Sequence, residues 1–371
     1  MEQFKFFRAP LMALALLALL AGGWAGLERI GWHMPTLQPT LAAVHGPLMI
    51  AGVLGTVISL ERAVALGQRW PYIAPLLHGL GGLLLIVGVT DWPGPLLLTL
   101  GSLALVTIFI TLIRHQAVAF MIVMALGAVA LLVGNVLWLS GWPIFTVVYW
   151  WVGFLVLTIA GERLELGRLR QLPDWAEGLF ILLVALLLSG LVITTLFPDI
   201  GVRILGAALI GLACWLLRYD IARRTIRKTG LTRYIAVCLL SGYVWLVVGG
   251  LIGIVVGAIP AGPLYDAMLH AVFVGFVFAM IFGHAPIIIP AVLGVPMLFA
   301  RHLYAVLALL HASLLLRIVG DLAGGGLLRQ WGGMLNAVSI LLFLGSIIWA
   351  VRAAKRTNQC IHKPASLSAP R

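Results

Sequence analysis

Residues 10–27 contain no charged side chain, and eleven further apolar stretches follow along the chain. About 20 consecutive apolar residues carry an α-helix across the hydrocarbon core of a bilayer, where every backbone polar group must find its partner within the segment. The stretches lie near residues 10–27, 41–60, 71–90, 95–113, 117–139, 144–161, 178–197, 200–217, 233–258, 264–288, 300–318 and 332–351. They predict an all-α, polytopic transmembrane bundle of twelve helices, one integral membrane domain over residues 1–371 with a cytoplasmic tail at 352–371. Breaks coincide with turn chemistry, as at Asp91-Trp92-Pro93-Gly94, Ser140-Gly141-Trp142-Pro143 and Ala261-Gly262-Pro263. Charged residues make up only 10% of the chain, against roughly a quarter in a soluble domain, which excludes a water-soluble globule and a disordered chain. The first stretch reads as a span, because no small-residue cleavage site follows it. Cys214, Cys238 and Cys360 form no C-x-x-C pair and all fall toward the reducing side of this topology, so no disulfide is expected.

The net charge of +12 would suggest nucleic acid in a soluble protein. In a chain this apolar it reports orientation instead. With the N-terminus in the cytoplasm, only Arg29, Arg203, Arg317 and Arg329 of the 24 basic residues fall outside. Omitting one internal span would move the basic loop 218–233 to the wrong side, so the bias supports both the even span number and two cytoplasmic termini. The loop's arginines read as an anchor to the lipid surface, and no nucleic-acid partner is expected.

Ionisable side chains at membrane depth are costly and are candidates for function. Histidines dominate that set. His45, in HGPLMIAGVLGT, and His270, in HAVFVGFVFAMIFGHAP, lie near the outer ends of the second and tenth spans, in one depth layer. His284 closes the tenth span at the opposite end, level with His115 and His302, while His78 and His311 sit nearer mid-span. Fourteen residues of α-helix turn about 1400°, about 40° short of four turns, so His270 and His284 are expected on one helix face. Neutral imidazoles so placed suit haem iron or copper, and His45, His270 and His284 are the candidate cofactor ligands. Each histidine alone reads equally well as an interhelical hydrogen-bond partner. Asp266, one turn before His270, is placed to orient its ring. Asn135 reads as a helix–helix hydrogen-bond partner, Glu61-Arg62 and Glu162-Arg163 as helix-end anchors, and Met49, Met121, Met124 and Met280 as packing residues with copper affinity. No phosphate-binding loop, dinucleotide fingerprint, HExxH or nucleophile elbow occurs.

Three stretches resemble the NnrS proteins, twelve-span bacterial membrane proteins associated with haem, copper and nitric oxide stress. In the second span, His45 matches the second histidine of a Trp-His-x-His-Glu motif, with Ala43 and Gly46 where the other His and the Glu stand. In the ninth, Gly242, Tyr243 and Trp245 match a Gly-Tyr-x-Trp segment, with Leu240 at a position usually given to His. In the tenth, His270, Ala271, Gly275, Met280 and Gly283 fall at the family's spacings. The resemblance implies a haem- and copper-binding membrane protein that handles a small molecule such as nitric oxide, with His45 and His270 as ligands. His284 is not part of it; with His302 or His78 it could build a second site. A cofactor-free transporter or channel whose histidines line a substrate or proton path is the rival reading, and a structural or assembly protein a third.

Overall fold

The computed structural model describes residues 5–167 and 172–361, with Lys5 and residues 357–361 described by their backbone alone. Among the described residues there is no β-strand. Twelve helices carry the fold: α1 Lys5–Arg29, α2 Leu41–Leu66, α3 Trp70–Ile86, α4 Pro93–His115, α5 Ala119–Leu139, α6 Ile144–Gly167, α7 Asp174–Leu196, α8 Pro198–Tyr219, α9 Gly230–Val256, α10 Pro263–Leu293, α11 Leu303–Ala323 and α12 Gly326–Ile361. Eleven are long and apolar enough to cross a membrane. The shorter α3 has about 26 Å of rise and packs among α1, α2 and α4.

The helices match the expected spans in number and order. The largest difference is at the C-terminus, where α12 continues to Ile361; the first ten residues of the expected tail are therefore helical, and 362–371 lie outside the described residues. Proline opens α4, α8 and α10, where its missing N–H has no intrahelical partner to lose. Gly67, with φ +70°, closes α2 in the left-handed conformation that side chains disfavour.

Consecutive helices pack side by side, with α3 to α6, α7 to α9 and the α11–α12 hairpin the most extensive contacts. Small residues let backbones approach: a Cβ on Gly206 of α8 would lie 2.6 Å from the Gly250 carbonyl oxygen of α9, and one on Gly250 2.7 Å from that of Gly206. Three helices, four apart in the chain, form the interior: α6 is 89% buried over its apolar window, α10 67% and α2 61%. Both histidines of the expected pair stand on interior helices.

Those two helices also share a distortion. An eight-residue π-helical segment follows each histidine, Leu48–Gly55 in α2 and Ala271–Phe278 in α10. In α2 it begins directly after Pro47, whose ring displaces the preceding turn and donates no hydrogen bond. Single wide turns of this kind are frequent at functional sites.

Candidate functional site

The structure brings His45 and His270 together across the α2–α10 contact. Their ring centroids are 6.5 Å apart and their planes 18° from parallel. His45 Nδ1 lies 2.7 Å from the Gly22 carbonyl oxygen, and His270 Nδ1 lies 2.9 Å from the Asp266 carbonyl oxygen. A carbonyl only accepts, so each neutral ring carries its proton on Nδ1 and keeps its lone pair on Nε2. Neither Nε2 has a hydrogen-bond partner among the described residues, and both rings line one cavity. Glycine makes room for the pair: a Cβ on Gly26 of α1 would sit 2.9 Å from His45 Cε1.

His270 is backed by charge. Its Nδ1 is 3.3 Å from Asp266 Oδ1, the contact expected of that aspartate one turn away. Arg317, from α11, donates from Nε and Nη2 to the two Asp266 oxygens at 2.7 and 2.8 Å. Arg329, on α12, stands 3.8 Å from Asp266 Oδ1 and 3.0 Å from Asp321 Oδ1. A forked guanidinium–carboxylate pair is the strongest arrangement available to such groups.

The cavity has a volume of about 390 Å³, within the 300–1,000 Å³ or so of small-molecule and cofactor sites. Arg29, Arg317, Arg329 and Tyr265 line it beside the histidines, and Val53, Leu54, Phe278 and Ile340 line its apolar part. Among the described residues no group of three or more His, Cys, Asp or Glu side chains is clustered to hold a metal ion.

The other histidines occupy different settings. The expectation that His270 and His284 share a face assumed an unbroken α-helix. The π-helical segment between them advances about 80–90° per residue rather than 100°, so over eight residues the register slips by on the order of 100°. His284 is not among the cavity residues; its Nδ1–H donates to the Met280 carbonyl at 2.7 Å and its buried Nε2 has no hydrogen-bond partner. No contact joins it to His302, which packs edge-on against Trp349, or to His78. His78 is fully buried between Gly55 and Gly101, with Nδ1 on the Ala74 carbonyl and Nε2 on Ser102 Oγ. His311 accepts from Trp245 Nε1 at 2.9 Å and donates from Nε2 to Ser241 Oγ at 2.8 Å. With both nitrogens engaged, His78 and His311 are interhelical hydrogen-bond partners.

Asn135 joins three helices as expected of a buried amide, donating to Ser102 Oγ at 2.8 Å and accepting from Trp151 Nε1 at 3.0 Å. Arg62 bridges Glu61 and Glu162, tying α2 to α6 at the end remote from the histidine pair. Cys214 and Cys238 are free thiols, and Cys360 lies outside the residues whose side chains are described. Most of the motif residues of α9 and α10 have packing roles: Trp245 lies against Gly275, Met280 Cε fills the space left by Gly242, and Cys238 that left by Gly283.

Arg317 is the functional residue that sequence reasoning passed over, counted only as one of four outside charges. Its signal was an arginine inside an otherwise apolar stretch, the costly kind of position that points to a partner at depth. Asn336, which donates to Ser313 Oγ at 2.6 Å and lines the cavity, is a second buried amide.

Fold and cavity together define a polytopic, all-α membrane protein with a paired-histidine pocket at one end of its interior helices. The chain belongs to the family described as a domain of unknown function, DUF8744, whose model matches residues 8–352. No protein with a curated description matches it.

Proposed function

We propose that this chain is a haem-binding protein of the bacterial inner membrane, with copper as the alternative metal, and that His45 and His270 are the ligands. The observation that carries the reading is the pair itself. The two rings are 6.5 Å apart, nearly parallel and in one cavity, close enough that His45 and His270 would hold a single metal-bearing group between them. Both rings hold Nδ1 on a carbonyl and keep Nε2 for a ligand, and hydrogen-bonded imidazoles of this kind are the rule among metal ligands. Two protein donors suit iron whose remaining positions a porphyrin fills, or two-coordinate copper(I).

When bound, such a group would supply one-electron redox chemistry. The protein's part is to hold the imidazoles at a fixed separation, set the basicity of His270 through Asp266, and line the rest of the cavity with apolar side chains such as Val53, Leu54 and Phe278. The link to nitric oxide or nitrosative stress rests on the likeness to NnrS proteins, and the cytoplasmic placement of both termini on the distribution of basic residues.

Detergent-purified protein is expected to show a Soret band with stoichiometric iron, or bound copper, and His45→Ala together with His270→Ala is expected to abolish it. A folded, colourless and metal-free wild-type protein refutes the reading. Substrate uptake by proteoliposomes made from such protein would establish the transporter reading in its place.

A further inference from the structure

We propose that the cavity is built for a macrocycle bearing free carboxylates, and that Arg29, Arg317 and Arg329 are its carboxylate-binding residues. This rests on the haem reading above and adds the recognition of the ligand's anionic edge. Three guanidinium groups line a single pocket in a chain with few charges. Among the described residues, two carboxylates, those of Asp266 and Asp321, form ion pairs with them. Arg29, the guanidinium without an ion pair among the described residues, stands at an exposed position on the cavity's rim, with its charge open to a ligand.

The donors are also unevenly used. Arg317 gives Nε and Nη2 to Asp266, so its Nη1 remains for a ligand. Arg29 donates from Nη1 to the Ala42 carbonyl at 3.2 Å, a main-chain contact at an exposed position, and has no ion pair among the described residues. Arg329 faces the cavity while 26% exposed. The remaining guanidinium N–H groups can donate to carboxylate oxygens in a planar fork, which a neutral ester cannot match with the same charge. Val53, Leu54, Phe278 and Ile340 among the lining residues offer apolar contact. A largely apolar ring bearing acidic groups matches both kinds of lining residue; a neutral macrocycle leaves the free guanidinium donors without an anionic acceptor.

The test is to titrate full-length protein, produced without a haem supply, with haem and with haem dimethyl ester, following the Soret band in detergent. Haem is expected to bind about 10- to 100-fold more tightly than the ester, the range for hydrogen bonds to charged groups. Arg29→Gln and Arg329→Gln should each narrow that ratio by lowering haem affinity and leaving ester affinity unchanged. Equal binding of the two ligands overturns the arginine assignment and leaves the histidine reading standing. Failure to bind either overturns both. Because the ester comparison is made on the wild-type chain, it holds even where an arginine variant fails to fold.

Discussion

Replacing Arg317 by methionine removes the fork that holds Asp266 and leaves a carboxylate only 12% exposed without its main partner. Two hydrogen bonds, at 2.7 and 2.8 Å, are lost at once. Removing one member of a buried ion pair destabilises a protein by about 3–5 kcal/mol, because the remaining charge stays desolvated. Arg329, already 3.8 Å from Asp266 Oδ1, can move closer, which places the expected loss near the lower end, about 3 kcal/mol. At about 2–4 °C per kcal/mol for large domains, that corresponds to a fall of about 6–12 °C in apparent melting temperature. The 13 tryptophans allow unfolding in detergent to be followed by intrinsic fluorescence at one fixed scan rate, since unfolding of such a protein is a kinetic measurement. Replacing both partners, Asp266→Leu with Arg317→Met, removes the charge as well as its counter-charge and should recover most of the loss. A single variant within 2 °C of wild type, or a double variant no more stable than the single, refutes the view that this pair is a coupled, desolvated unit.

Two further outcomes separate ligand histidines from structural ones. Gly26→Val sets a side chain where a Cβ already lies 2.9 Å from His45 Cε1; displacing the ring should weaken haem retention on the order of tenfold, as read by loss of the Soret band on dilution. His78→Ala should do the reverse: it removes a fully buried ring and its bonds to Ala74 and Ser102, lowering the melting temperature by a few degrees while the spectrum keeps its shape and intensity. A changed spectrum in His78→Ala would place that histidine among the ligands.

Much of the architecture was legible without coordinates because hydropathy acts locally. A bilayer-length apolar run has one stable conformation, so the twelve helices, their order and the breaks at Pro93, Pro198 and Pro263 follow from the chain alone. The layer shared by His45 and His270 was also legible, since counting residues from a span's end gives depth. Depth is not azimuth. Which face of a helix meets which neighbour depends on rotation about its axis, and the π-helical segment Ala271–Phe278 altered that rotation in a way that no α-helical count contains. It separated His284 from the face assigned to His270. The approach of the two imidazoles to 6.5 Å, the Arg317 fork on Asp266 and the engagement of His78 and His311 by Ser102, Trp245 and Ser241 all join residues from different helices. Such contacts are decided by how the helices pack, because in a uniformly apolar chain the hydropathy that specifies each span leaves open which side of it faces the interior.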